Sequence, residues 1–295
     1  MKKFVSSPRP KWQPVRILSI AGSDSGGGAG LQADIKTVSA LGGYAATAVS
    51  AVTVQNTVGV QAVFPVPADI VCQQVEAVCT DLRPQAVKIS MLPDPALAKP
   101  LSELLRPYAA PLVIDPVMIA TSGHSLMEDT GVKSLVDYLF PLAAIITPNL
   151  EEVRALTGIF PENEAEYAQA ARILLDMGPQ AVLLKGGHAK TKETLDPEAK
   201  RSADYLLCKG EEHLPIWFSS PHIASQNLHG TGCTLSAAIA FYMAAGCELL
   251  QAVAGAKEYI HQAILAGQNM KIGEGHGPVN HFFAPLPCLP EKSKK

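Results

Sequence analysis

His229-Gly230-Thr231-Gly232-Cys233-Thr234 brings two glycines, two threonines and a thiol together just before an apolar run, so it opens a helix whose first amides are free. Such amides make an anion site, and the positive end of a helix lowers the pKa of a thiol placed there. Cys233 is therefore a candidate base or hydrogen-bond acceptor; the plain alternative is a small residue packed at a helix start. Asn149-Leu150-Glu151-Glu152 begins another helix, with an amide and a carboxylate three residues apart on one face. These hard oxygen donors suit Mg²⁺, and the same pattern also makes an ordinary Asn cap with its reciprocating glutamate.

Lys185, closing an apolar run, either reaches a nucleotide phosphate or snorkels to the surface. Asp34, on an otherwise apolar helix face, either faces solvent or binds a substrate amine. Gln55-Asn56 is a polar turn or a reader of a base edge. Gly26 to Gly30 is not a dinucleotide fingerprint, because Leu31 stands where the third glycine belongs, and no Lys-Ser/Thr pair follows to complete a phosphate loop. That leaves a tight turn before a helix. The histidines form no HxH or HExxH pattern, which argues against a metal role for them.

These residues need a frame that brings them together. Short apolar runs at Arg16–Ala21, Ala86–Ile89, Leu112–Ile114, Ala143–Ile146 and Ala181–Leu184 read as strands buried on both faces. Tyr44–Val54 and Val60–Val66 add two more strands. Between them, helical periodicity runs over Leu31–Leu41, Ala68–Leu82, Pro95–Leu105, Gly131–Tyr138, Leu150–Leu156 and Glu164–Met177, with Thr234–Ala245 and Leu249–Met270 closing the chain. Ala189–Asp204 is charged and aperiodic and reads as a surface loop before a strand at Tyr205–Cys208. The alternation predicts an α/β fold with a mostly parallel sheet covered by helices on both faces. Ligands bind such sheets outside the carboxyl ends of the strands. Gly22–Gly30, Asp115-Pro116, Thr147-Pro148-Asn149 and Lys185-Gly186-Gly187-His188 all directly follow strands.

Composition limits the functions available. With 24 Lys+Arg against 27 Asp+Glu the net charge is −3, which excludes an electrostatically driven nucleic-acid binder. Apolar residues make up 47% and charged residues 17%, enough for a large core. The charge-free stretches Thr37–Ala68 and Trp217–Cys247 are broken by glycine, proline and polar residues and are not membrane spans. Six cysteines without metal-ligand spacing read as reduced thiols of a cytoplasmic protein. Residues 1–15 and 288–295 are expected to be tails around one domain over 16–287.

The ordered blocks AGSDSGGGAGLQADIKT, VTVQNT, KISML, DPVM, ITPNLEE, LLKGGH, HGTGCTLSAAIA and GHGPVNHF span Ile17 to His281. Together they resemble the ribokinase-like superfamily, and within it the hydroxymethylpyrimidine and phosphomethylpyrimidine kinases of thiamine biosynthesis. The resemblance implies a small β flap near the substrate site, ATP as co-substrate, Mg²⁺, a small-molecule pyrimidine substrate and a homodimer. It also implies that the amides of Gly230, Thr231, Gly232 and Cys233 hold the transferred phosphoryl group while Cys233 takes the substrate proton. Gly22, Asp34, Gln55, Met91 and Val117 would line the pyrimidine pocket. Asp115, Asn149 and Glu152 would organise Mg²⁺ and phosphates, and Lys185 with Gly187 would border the nucleotide. Thr121 stands where the family commonly has lysine, which bears on the second phosphorylation. The rival readings are a pyridoxal-type kinase, a pyrimidine-binding protein without catalysis and, more remotely, a dinucleotide-dependent oxidoreductase.

Overall fold

The structure, a computed structural model, describes residues 13–118, 128–186, 201–211 and 213–288. Its frame is a nine-stranded sheet in the order β3-β2-β1-β4-β5-β6-β7-β8-β9. β1 (Arg16–Asp24) pairs in parallel with β2 (Tyr44–Gln55) on one side and β4 (Ala86–Ile89) on the other. β5 (Leu112–Ile114), β6 (Ile145–Ile146) and β7 (Ala181–Lys185) extend the parallel part. The chain therefore steps outward from β1 in opposite directions through β2 and β4, which opens a crevice at the carboxyl ends of the two strands.

Each parallel strand alternates its side chains between two helical layers, because successive residues of a strand point to opposite faces. Leu18, Ile20, Leu112, Ile114, Val182 and Leu184 pack against α2 (Ala68–Asp81), α3 (Ala98–Leu105), α5 (Leu150–Thr157) and α6 (Glu164–Asp176). Ile17, Val113, Ile145, Ala181 and Leu183 pack against α1 (Gly30–Ala40), α7 (Thr231–Ala244) and α8 (Leu249–Gly267). α4 (Asp129–Ser134) lies between β5 and β6 in the chain.

Antiparallel strands close both edges. β3 (Val60–Pro65) folds back on β2 as a hairpin, the expected flap. At the other edge β8 (Arg201–Cys208) pairs with β7 and with β9 (Ile216–Pro221). Two expectations are corrected here. Arg201–Asp204 is strand rather than loop, because Ala203 and Asp204 are buried in the β7–β9 ladder and Lys257 neutralises the Asp204 carboxylate at 2.6 Å. Ile216–Pro221 is a strand that its proline and serines hide in the sequence. No helix among the described residues is long and apolar enough to cross a membrane.

Candidate active site

β1 ends at Asp24, whose buried carboxylate organises the glycine-rich turn that follows. Oδ1 accepts from the Gly26 amide at 2.7 Å, and Oδ2 accepts from the Gly28 and Ala29 amides at 3.0 and 2.8 Å. Burial works against the charge, but His229 and these amides hold the Asp24 pKa below the usual carboxylate value. The glycines allow backbone to meet backbone. Gly30 has φ +54°, and a Cβ there would overlap the Gly22 carbonyl; Gly230 has φ +82°, and its Cβ would overlap the carbonyl of Gly28. A side chain at Gly30 would force the start of α1 away from β1, and one at Gly230 would force the first loop and the start of α7 apart.

His229 bridges the two loops. Its Nε2 lies 2.9 Å from Asp24 Oδ2 and 3.2 Å from Gln55 Nε2. One ring nitrogen cannot serve both, and the shorter contact to a carboxylate takes the N–H. The Gln55 amide group is thereby left to the cavity, while its Oε1 accepts from Thr53 Oγ1 at 3.1 Å.

α7 begins without a side-chain cap. The Thr231 amide turns back to the Leu228 carbonyl at 3.2 Å, so it does not join the anion hole as expected. The Gly232 and Cys233 amides take no acceptor among the described residues. Cys233 also meets the first amide of α1, since Gly30 donates to its sulfur. Two helix N-termini thus converge on one thiol. The expected low pKa is nevertheless overturned: burial pushes the Cys233 thiol up to about 11, against the opposing pull of Lys88 and the Gly30 amide.

Beneath this turn lie two buried ion pairs. Lys88 Nζ binds both oxygens of Asp34, at 3.1 and 2.9 Å, and Ser19 Oγ donates to Asp34 at 2.5 Å. Asp34 was expected at the pocket wall or facing solvent; at 1% exposure it does neither, and it forms part of the floor beneath the cavity. Burial works against the Lys88 ammonium and also raises the Asp34 carboxyl. With both oxygens on an ammonium and a hydroxyl donating, the pair is ionised. Lys88 escaped the sequence reading although its signal was there: one lysine inside the apolar strand Ala86–Ile89.

The second pair joins Lys185 Nζ to Asp115 Oδ1 at 2.6 Å, with Thr147 Oγ1 3.2 Å from the same oxygen. Burial disfavours the Lys185 charge, but Asp115 and Glu152 more than offset it and raise its pKa. Asn149 and Glu152 form the reciprocal cap: Glu152 N donates to Asn149 Oδ1 at 2.9 Å, and Asn149 N to Glu152 Oε2 at 2.8 Å. Burial, opposed by Lys185 and reinforced by Asp115, pushes Glu152 up to about 7.

Above the buried Lys88–Asp34 pair lies one cavity of about 400 Å³ at the carboxyl ends of the strands. Gly22, Gln55, Met91, Val117, Asp115, Asn149, Glu152, Lys185 and Gly230 to Cys233 line it together; Asp34 does not. Asp204 of β8, His222 just beyond β9, and Lys257, Ile260, His261 and Ile264 of α8 also line it, and the sequence reading missed them because their segments carry no motif. Gly187 and Thr121 lie outside the described residues. Among the described residues no three His, Cys, Asp or Glu side chains converge as a metal cluster.

A family profile described as phosphomethylpyrimidine kinase matches residues 24–280. The hydroxymethylpyrimidine/phosphomethylpyrimidine kinase of Rhizobium meliloti (strain 1021) is 47% identical over 266 residues, covering 90% of this chain and 96% of that protein. Among solved structures, the phosphomethylpyrimidine kinase of Clostridium difficile 630 superposes with a TM-score of 0.71 at 41% identity, covering 85% of this chain and 99% of that one. The pyridoxal kinase of Staphylococcus aureus, solved with AMP-PCP and pyridoxal, gives a TM-score of 0.78 at 30% identity, with 92% of this chain and 94% of that one covered.

Proposed function

The chain belongs to the phosphomethylpyrimidine kinase family, and from that premise we propose how its cavity carries out the family's reaction. The activity is ATP-dependent phosphorylation of 4-amino-5-hydroxymethyl-2-methylpyrimidine and of its monophosphate, a step of thiamine biosynthesis. The observation that supports the site assignment is that Cys233 lines one cavity together with Gln55, Met91 and Val117 and with Lys185 and Gly232.

On the recess side, Met91 and Val117 cover the faces of the ring, and the Gln55 amide reads its edge. On the other side, Lys185 and the Gly232 and Cys233 amides receive the phosphates. The Cys233 thiolate takes the proton of the hydroxymethyl group as its oxygen attacks the γ-phosphorus and the bond from that phosphorus to the β–γ bridging oxygen breaks, releasing ADP, while the Gly232 and Cys233 amides stabilise the charge on the phosphoryl oxygens. Phosphoryl transfer needs little covalent help, so this placement and charge supply most of the acceleration.

Asp115 and Glu152 fit a magnesium site that relies on the nucleotide. Asp115 accepts from Lys185 on Oδ1 and, at a long 3.4 Å, from Ser236 on Oδ2, and Glu152 accepts from the Asn149 and Met118 amides, so an ion would use the lone pairs these donors leave over. Mg²⁺ characteristically accepts one or two carboxylates together with waters and substrate phosphates. When bound, the ion would neutralise charge on the transferring phosphates. Val52, Val54 and Phe64, 47%, 53% and 69% exposed on the flap, support a homodimer, which sedimentation would register as twice the chain mass.

The deciding experiment incubates the protein with ATP and Mg²⁺ and each of hydroxymethylpyrimidine, its monophosphate and pyridoxal, and identifies the products by mass spectrometry. Pyrimidine diphosphate is expected from both pyrimidines. A kcat/KM for pyridoxal above that for hydroxymethylpyrimidine would overturn the assignment in favour of the vitamin kinase represented by the Staphylococcus aureus neighbour.

A further inference from the structure

We propose that Gly273 to His281 is a strap that positions the flap over the pyrimidine recess, and that Thr57 is the positioning residue through which the strap acts. The flap turn follows Gln55 directly and is stiffened locally, since Asn56 Oδ1 accepts from the Val58 and Gly59 amides at 2.9 and 3.3 Å. At its base the flap is tied to the glycine-rich loop by Ser25: the Gln55 amide donates to Ser25 Oγ at 2.9 Å, and Ser25 Oγ to the Gln55 carbonyl at 2.7 Å. Among the described residues, the hydrogen bonds that reach its tip from outside the flap come from the C-terminal segment. There the Gly275 amide donates to Thr57 Oγ1 at 3.2 Å, and the His276 amide to the Thr57 carbonyl at 2.9 Å.

The closeness of the contact explains the glycines. A Cβ at Gly273 would overlap the Thr57 side chain, and one at Gly275 would overlap the Thr57 carbonyl. The strap itself is fixed to the phosphoryl side of the cavity. The Gly277 carbonyl accepts from the His229 amide at 3.1 Å, and a Cβ at Gly277 would overlap Asn227 Oδ1. Asn227 Nδ2 donates to the Gly267 and Met270 carbonyls at 2.8 and 2.6 Å, where α8 gives way to the strap. Buried His281 closes the far end, its Nε2 lying 3.0 Å from Thr234 Oγ1 in the first turns of α7.

One continuous piece of backbone therefore touches both the residue beside the anion hole and the tip of the flap that carries Gln55. A two-stranded hairpin is marginal by itself. The strap sets the height of Gln55 above the site that receives the phosphoryl group, and so the fit of the pyrimidine rather than of the nucleotide. This inference rests on the reading of Gln55 as the contact to the ring edge.

The test is steady-state kinetics of the full chain, with each substrate varied at saturation of the other, alongside thermal melts. Thr57→Val keeps the shape and removes the acceptor for the Gly275 amide; Thr57→Ser keeps the acceptor. One lost hydrogen bond predicts a rise of about 2- to 10-fold in KM for hydroxymethylpyrimidine in Thr57→Val. KM for ATP and the melting temperature should stay at the wild-type values, and Thr57→Ser should behave as wild type. Gly275→Ala, which pushes against the Thr57 carbonyl, should raise the same KM further. An unchanged pyrimidine KM in both Thr57→Val and Gly275→Ala overturns the strap. So does a purely structural pattern, with the melting temperature or kcat falling while neither KM moves. Gln55→Ala separates the two ideas: if it leaves the pyrimidine KM unchanged while Thr57→Val raises it, the Gln55 assignment fails and the strap stands.

Discussion

If Cys233 is the base, the enzyme works with a thiol that resists ionisation. Its pKa of about 11 lies about 3.5 units above pH 7.5, so forming the thiolate costs about 5 kcal/mol, and about one molecule in 3,000 carries it. A turnover of about 1 s⁻¹ at that pH would then require about 3,000 s⁻¹ from the ionised form, above the common range, so the enzyme should be slow at neutral pH. The sign follows directly: kcat/KM for hydroxymethylpyrimidine should rise about tenfold per pH unit from 7 to 9. A coupled assay for ADP release in constant-ionic-strength buffers, with the coupling enzymes in excess at every pH, measures this. Cys233→Ala should lose both the rate and the slope, with kcat falling far more than substrate affinity. Cys233→Asp supplies a base that is already ionised at neutral pH and should give a flat profile. A flat profile in the wild type, or an unchanged kcat in Cys233→Ala, would refute the assignment of Cys233 as base.

Lys88→Met should destabilise the protein by about 3–5 kcal/mol in urea unfolding, because it strands the carboxylate of Asp34 in the interior; Lys88→Met with Asp34→Asn should recover most of that, and failure to recover would show that the pair is not the source of the loss. His281, held down to about 4 by burial, makes the unfolded state bind more protons between pH 6.5 and 4, so this residue should remove about 3 kcal/mol of stability as pH falls through that window. Glu152 acts in the opposite sense between pH 7 and 4.5, since its folded pKa is raised, so the wild-type curve should be shallow. Subtracting a His281→Asn curve isolates the histidine, and two parallel curves would contradict its burial as a neutral ring.

Much of the site was legible before folding was considered. The placement of Gly22, Asp115, Asn149 and Lys185 at or just beyond the carboxyl ends of strands follows from the parallel-sheet pattern, and all four meet in the cavity because every parallel strand delivers its carboxyl end to the same edge. The Asn149–Glu152 cap was equally readable, because it closes within one helical turn. Strand β9 was not readable, since its serines and proline carry no strand periodicity and only the ladder with β8 organises them.

The sequence alone determined the α/β class, the mostly parallel sheet and the identity of the helix-start motifs, because periodicity, capping and turn chemistry act over a few residues. Only the tertiary structure decided the electrostatics. Asp34 read as a ligand and is half of a buried ion pair, because its partner Lys88 lies 54 residues away on another element. Cys233 read as a thiol acidified by its helix and is the reverse, because burial by distant parts of the chain, reinforced by Asp34 and Asp115, outweighs the opposing pull of Lys88 and the Gly30 amide. Burial and long-range charge depend on what folding brings within a few ångströms, and neither is written in the spacing of neighbouring residues.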